Sequence, residues 1–230
     1  MTRICVALDV PWERAIKIVR DLYDFFENYP LIMKIGHRIY LEKGGDALRE
    51  LKEEFPYEVF LDLKLHDIPS VVGLAVEEIN NLGADYITLH LLGGERMVEE
   101  ATKRKGNTKV LGVSLLTSHD ESYLSFLRTT IGDIKEFVLY LAKMGLDKGI
   151  DGVVCSGEEV EFLKKNVDKE FIAVVPGIRI KKEKGDQSRV LTPAEAKKRG
   201  ADIIVIGREI TESKNPVYVV ERALKMMGEI

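Results

Sequence analysis

The chain has 230 residues, 45% of them hydrophobic and 31% charged, with a net charge of −4 and no long run of one sign. That is enough chain to bury a sizeable core, and it carries no electrostatic footprint for a nucleic-acid or anionic-membrane partner. The N-terminus runs directly into a strand-like segment without a signal-peptide pattern, and no apolar run is long enough to span a bilayer, so a cytoplasmic enzyme is expected.

Arg3 to Asp9 alternates Ile4, Val6 and Leu8 against Cys5, Ala7 and Asp9, which predicts a strand with Asp9 at its C-terminal end. From Pro11, the spacing of Ala15, Ile16, Val19, Leu22 and Phe26 predicts a helix. Leu31 to Gly36 is a second strand with Lys34 near its end, and a helix around Asp46 to Phe55 leads to a third. That third strand, Glu58 onward, is apolar on one face through Leu61, Leu63 and Leu65, while Phe60, Asp62 and Lys64 share the other. Charges on a core strand are costly to bury, so they are normally paired and often mark a site. A purely structural ion pair at a strand end is the plainer explanation. Asp67 follows just beyond, before Pro69 opens a helix over Val71 to Asn80.

Asp85 to Leu91 is the fourth strand with His90 near its end, Glu95 to Lys105 a helix, and Lys109 to Leu116 a strand carrying Ser114. The polar segment Thr117 to Thr130 is long for a connection, with room for a short helix over the strand ends. Asp133 to Met144 is helical, Gly152 to Cys155 is strand six, Glu158 to Lys165 its helix, and Phe171 to Val175 strand seven. A hydrophilic loop follows from Pro176-Gly177-Ile178-Arg179 through Gln187 and Arg189 to a capped helix start at Thr192-Pro193. Asp202 to Gly207 is strand eight, Arg208 stands at its end, and Pro216 to Met227 is the last helix.

Eight alternations of strand and helix with no Pro/Gly/Ser-rich linker predict an α/β fold, a (β/α)8 TIM barrel forming a single domain over residues 1–230. An open doubly wound sheet is the runner-up. Neither a G-x-G-x-x-G after the first strand nor a P-loop is present, so nothing points to a dinucleotide or a nucleoside triphosphate. In a barrel the strand C-termini converge on one mouth. Asp9, Lys34, Asp62 and Lys64 then form an array of alternating sign in which each charge favours the ionised state of its neighbour. Such an array can present a proton-donating lysine to developing negative charge. Arg179, Gln187 and Arg208 lie after strands seven and eight, where barrels commonly bind phosphate; solvated surface arginines are the alternative. The segment from Pro176 to Arg189 is expected to close over that phosphate. His37, His66, His90 and His119 show no metal-binding spacing, and Cys5 and Cys155 lie in apolar strands, so no metal site and no disulfide are expected. Scarce glutamine with abundant Lys and Glu is a balance associated with thermophiles.

Several short motifs recur together: Ala7-Leu8-Asp9, Lys34-Ile35-Gly36, Asp62-x-Lys64-x-x-Asp67 with Ile68-Pro69, and Leu116-Thr117-Ser118. Pro176-Gly177-Ile178-Arg179, Asp186-Gln187-x-Arg189-Val190-x-Thr192-Pro193 and Val205-Ile206-Gly207-Arg208 follow. In order and spacing this set resembles the orotidine 5'-phosphate decarboxylases, from the first strand to the eighth. The resemblance implies decarboxylation of orotidine 5'-monophosphate to UMP, the last step of de novo pyrimidine nucleotide synthesis, with no metal and no cofactor. It implies that Lys64 protonates C6, that Asp62 sits against the substrate carboxylate, and that Lys34 and Asp9 complete the array and hold ribose hydroxyls. Ser114 and Pro176 match positions lining the pyrimidine pocket. Gln187 and Arg208 match the phosphate grip, with Arg179 assisting, and Gly207 is implied to bind substrate. Asp67 is implied to reach the partner's site in a homodimer. One departure is Val71, where many members carry Thr; Ser70 stands beside it.

Two other readings compete. A sister activity on the same barrel, a 3-keto-gulonate 6-phosphate decarboxylase or hexulose-phosphate synthase, would use Mg2+ to stabilise an enediolate. A barrel that only binds a phosphorylated ligand would leave four ionisable residues in one cavity without a task.

Overall fold

The computed structural model describes residues 1–27, 29–180 and 191–230. Its eight strands are β1 (Arg3–Ala7), β2 (Ile32–Gly36), β3 (Glu58–Leu65), β4 (Tyr86–His90), β5 (Lys109–Val113), β6 (Gly152–Val154), β7 (Ile172–Val175) and β8 (Ile203–Ile206). All pair in parallel in sequence order, and β8 returns to β1, so the sheet is a closed barrel and the open-sheet alternative falls. The helices among the described residues begin with α1 (Trp12–Phe26), α2 (His37–Lys43), α3 (Asp46–Glu54), α4 (Pro69–Asn81), α5 (Glu95–Lys103) and α6 (Glu121–Leu127). α7 (Ile134–Asp147), α8 (Val160–Asn166), α9 (Pro193–Lys198), α10 (Arg208–Thr211) and α11 (Pro216–Met227) complete the outer ring.

The alternation of each strand divides the core in two. Ile4, Val6, Met33, Ile35, Val59, Leu61, Ile87 and Leu89 face outward and are covered by the helices. Cys5, Ile32, Phe60, Tyr86, Leu111, Val174 and Ile203 face inward and fill the lumen. Each such side chain, fully buried, contributes about 1.5–3 kcal/mol of transfer free energy, so the lumen is packed rather than open. At the N-terminal end the barrel is tied by polar groups: the Arg3 guanidinium lies 2.8 Å from the Glu58 carboxylate, and the buried Tyr86 hydroxyl donates to the same carboxylate at 2.8 Å. This floor leaves the C-terminal mouth as the place where the lumen opens.

Helix signals behaved as their chemistry dictates. Asp120 and Asp133 cap α6 and α7 through their side chains, and Thr192 with Glu195 forms a capping box at α9. The short helix expected over the polar segment after β5 is α6. Several details differ from the sequence expectation. The first strand ends at Ala7, and the Leu8 N–H still donates to the Lys34 carbonyl at 3.0 Å, so Asp9 stands just beyond the ladder. α2 follows β2 immediately; with Ile39 its one buried residue, it has too little apolar periodicity to announce itself. In α1 the fully covered face uses Ile18, with Ile16 only partly buried.

Candidate active site

The mouth holds a cavity of about 1650 Å³ whose lining includes Asp9, Lys34, Asp62 and Lys64. β2 and β3 deliver the central pair. Lys34 pairs in register with Phe60, and Asp62 with Gly36, so the lysine must extend upward along its own strand to meet the carboxylate. It does: Lys34 Nζ lies 3.2 Å from Asp62 Oδ2 and 3.5 Å from Asp9 Oδ1. Gly36 makes the room, because a Cβ there would stand 2.7 Å from Asp9 Oδ1 and 3.4 Å from Lys34 Nζ. Lys64 completes the row, its Nζ 2.8 Å from Asp62 Oδ1. The order is Asp9, Lys34, Asp62, Lys64, with signs alternating.

Burial grades along this row. The side chains of Lys34 and Asp62 are 9% and 13% exposed, while Lys64 is 30% and Asp9 59% exposed. Burial alone would push the Lys34 ammonium down, but the Asp62 and Asp9 carboxylates overcome it and hold it above the ordinary lysine value. Burial likewise pushes Asp62 up, and Lys34, Lys64 and two side-chain hydrogen bonds reverse it, leaving the carboxyl below its usual range. All the groups so tuned are ionised at neutral pH. At an effective dielectric of 20, two charges at this separation attract by about 5 kcal/mol, and desolvation of each ion costs several kcal/mol in return. Net stabilisation is therefore small, and a structural role is a poor reason for the array.

Lys64 is held in an unusual backbone state. Its φ of 49° is left-handed, a conformation that costs a non-glycine residue about 1–2 kcal/mol. It sits where the β3–β4 register shifts between Leu61 and Leu65, and its N–H donates to Thr88 Oγ1 at 2.9 Å. Regular alternation through Leu65 is thus replaced by a bulge, although Asp62 and Lys64 still share the lumen side.

Of the second expected cluster, Arg179 and Arg208 line the cavity on the β7 and β8 side, and Pro176 and Gly207 line it beside them. The approach to Arg179 is anchored by its own N–H to the Leu191 carbonyl at 3.0 Å and by the Ile180 N–H to a Glu209 carboxylate oxygen at 2.6 Å. Gln187 and Arg189, with most of the expected closing segment, lie outside the described residues.

Two expected residues are not brought into this cavity. Ser114 is fully buried and its hydroxyl donates to the Val154 carbonyl at 3.2 Å. β5 turns Val113 toward the lumen, so the next residue faces away, and Leu115, Leu116 and Thr117 are what this segment adds to the lining. Asp67 is exposed on the rim, its carboxylate accepting the Ile68 N–H at 2.6 Å, and it does not line the cavity of its own chain. Beside it an apolar stripe lies open: Ile68, Val71 and Leu74 are 62%, 46% and 55% exposed.

The histidines are dispersed. His37 Nε2 lies 3.1 Å from the Leu63 carbonyl, the His66 and His90 rings are 5.7 Å apart, and His119 stacks on Tyr123. Burial, then His66 and Lys64, holds His90 below the ordinary histidine value, so its ring is neutral beside the site. Among the described residues no three His, Cys, Asp or Glu side chains gather in a metal-binding group. Cys5 and Cys155 are buried free thiols, pushed well above the usual thiol range chiefly by burial. Sequence reasoning overlooked Thr88, whose hydroxyl also reaches Asp62; its position two residues after the lumen-facing Tyr86 was the available signal.

Residues 2–223 match the family described as "Orotidine 5'-phosphate decarboxylase / HUMPS family". An orotidine 5'-phosphate decarboxylase of Aquifex aeolicus is 80% identical over the full length of both chains, and one of Dictyoglomus turgidum is 38% identical over 99% of this chain and 96% of its own. The crystal structure of the orotidine 5'-phosphate decarboxylase of Lactobacillus acidophilus superposes with a TM-score of 0.83 at 33% identity, covering 99% of each chain. With the barrel and the charged mouth already in place, these likenesses are decisive: the chain belongs to the orotidine 5'-phosphate decarboxylase / HUMPS family.

Proposed function

We infer that this protein is the carboxy-lyase that converts orotidine 5'-monophosphate to UMP in pyrimidine biosynthesis, with Lys64 as the proton donor. The observation that carries the assignment of Lys64 is its ammonium, 2.8 Å from Asp62 inside the mouth and backed by Lys34. When the C6–carboxylate bond breaks, its electron pair stays on C6 as CO2 leaves. A fixed ammonium beside C6 stabilises that charge as it develops and then delivers a proton to it. Lys64 finishes neutral and recovers its proton from solvent. Asp62, ionised by its neighbours, stands where the substrate carboxylate must enter, and Lys34 keeps it so.

The same geometry favours chemistry without a metal. Lys34 covers Asp62 Oδ2 and Lys64 covers Oδ1, so a divalent cation would have to displace an ammonium from each oxygen it took. Asp9, the most exposed of the four, is placed to meet ribose hydroxyls, and Arg208 and Arg179 with Gly207 offer positive charge and backbone on the side where the 5'-phosphate would lie. Pro176 borders the pyrimidine side. Gln187 belongs to the same grip by resemblance.

Asp67 and its surroundings support a homodimer as part of this reading. An exposed apolar stripe of Ile68, Val71 and Leu74 flanking a carboxylate at the mouth rim fits a second copy that covers the stripe and receives Asp67. Val71 gives that contact an apolar rather than a hydroxyl-bearing side chain. A cytoplasmic location belongs to this reading as that of a pyrimidine-biosynthesis enzyme. Separately, no described helix is long and apolar enough to cross a membrane.

The test is the ultraviolet absorbance loss of orotidine 5'-monophosphate with purified protein, in EDTA and again with added Mg2+. Equal turnover in both is expected. Turnover that needs Mg2+ would refute the metal-free reading. No loss of orotidine 5'-monophosphate under either condition, with Mg2+-dependent turnover of a sugar phosphate instead, would favour the sister activity, and binding without turnover would reduce the protein to a ligand-binding barrel.

A further inference from the structure

Thr88 ties together the two groups that do the chemistry. Between β3 and β4 the ladder pairs Leu61 with Ile87 and then Leu65 with Leu89, so β3 spends four residues where β4 spends two. Inside that bulge Lys64 adopts its left-handed φ of 49°, and its N–H turns to the Thr88 side chain instead of a backbone carbonyl. Thr88 Oγ1 is 2.9 Å from Lys64 N and 2.9 Å from Asp62 Oδ1. The backbone N–H can only donate, so the hydroxyl accepts there and its single proton points at the carboxylate. The connection is therefore directional. It holds the left-handed backbone of Lys64 and one oxygen of Asp62, the same oxygen that Lys64 Nζ contacts at 2.8 Å. Thr88 is fully buried, and its β-branched side chain has few χ1 states, so the hydroxyl is fixed before any substrate arrives.

We propose that Thr88 is a positioning residue for the decarboxylation, its hydroxyl setting the Lys64 backbone and the Asp62 carboxylate in one geometry. The proposal rests on the decarboxylase reading above. It goes beyond satisfying a buried N–H, because the hydroxyl's other hydrogen bond fixes a group beside the reacting centre. A displacement of about 1 Å at such a centre can cost on the order of 100-fold in rate.

Thr88→Val keeps the shape and removes the hydroxyl, Thr88→Ser keeps the hydroxyl, and Thr88→Cys keeps the volume with a weak donor and acceptor. Steady-state kinetics on orotidine 5'-monophosphate should show Thr88→Val losing about 100-fold in kcat with little change in KM. Thr88→Ser should recover most of that loss and Thr88→Cys should fall between. In the same proteins without substrate, carbon-13 NMR titration of the Asp62 carboxyl should move upward in Thr88→Val and stay near wild type in Thr88→Ser. If Thr88→Val does not fold, Thr88→Cys is compared with Thr88→Ser on both readouts. Equal losses in the Ser and Val variants would mean that packing rather than the hydroxyl matters, and a Val variant with wild-type kcat and an unmoved Asp62 titration would overturn the proposal outright. Wild-type protein inert toward orotidine 5'-monophosphate would instead refute the decarboxylase reading, while the Asp62 titration would still decide whether Thr88 positions the carboxylate.

Discussion

Lys34 and Asp62 are out of register yet in contact. Asp62 stands opposite Gly36, and Lys34 climbs past that glycine to put its Nζ 3.2 Å from Asp62 Oδ2. A side chain at position 36 would occupy the corridor in which the two charges and Asp9 meet. The pair is therefore a product of the Lys34-Ile35-Gly36 motif as much as of the aspartate.

This pairing fixes the sign of a pH effect. The folded state holds Asp62 below its ordinary value, so its contribution to stability is complete above about pH 3.9 and is lost as the pH falls from there through the folded value. Lys34 is held above its ordinary value, so its contribution is complete below about pH 10.4 and is lost as the pH rises through the folded value. Asp62→Asn should cost about 3 kcal/mol at neutral pH, since it leaves the buried Lys34 with only Asp9. Denaturant unfolding from pH 7 downward should show the wild-type advantage shrinking below about pH 4. A gap that stays constant to pH 2 would mean that Asp62 is not the group responsible.

The rim carboxylate invites a mixing experiment. Asp67→Ala and Lys64→Ala proteins should each be nearly inactive, but a hybrid dimer regains one site with both groups intact. After free exchange, random pairing gives activity approaching about a quarter of wild type. Mixed chains that demonstrably exchange yet stay inactive would place Asp67 outside the partner's site.

Arg208 should act on the phosphate alone. Arg208→Ala is expected to weaken orotidine 5'-monophosphate by roughly 100-fold in kcat/KM, consistent with loss of a charge-assisted contact. The slow reaction of orotidine lacking its 5'-phosphate should be nearly unchanged, and any stimulation of that reaction by added phosphite should be lost with the guanidinium. A variant that slows the truncated nucleoside as severely as the full substrate would put Arg208 at the pyrimidine or in the fold.

The charged row was legible in the sequence because ionised residues on otherwise apolar strands contradict the burial that the neighbouring Val, Ile and Leu demand. Asp62, Lys64 and Lys34 announced themselves in this way, and Arg208 did so by standing after the eighth strand. Other features left no such contradiction. Thr88 is an ordinary strand residue, and only its two hydrogen bonds give it meaning. The bulge at Lys64 keeps the apparent alternation of Leu61, Leu63 and Leu65, so no pattern reveals it. Ser114 was singled out by resemblance alone, and strand alternation after the lumen-facing Val113 turns its side chain away from the cavity, to the Val154 carbonyl. Asp67 was readable as a residue beyond the strand end, and its exposed place on the rim carries no further pattern in one sequence; its partner belongs to the proposed dimer.

Lys64 carries the central claim, and its removal measures it most directly. Wild-type and Lys64→Ala proteins, both in EDTA, should be compared for conversion of orotidine 5'-monophosphate to UMP, with circular dichroism and thermal unfolding as controls on the fold. Loss of the proton donor together with its electrostatic stabilisation should lower turnover by at least about 1000-fold, or ~4 kcal/mol, in a protein that remains folded. Turnover by folded Lys64→Ala within tenfold of wild type would contradict the account.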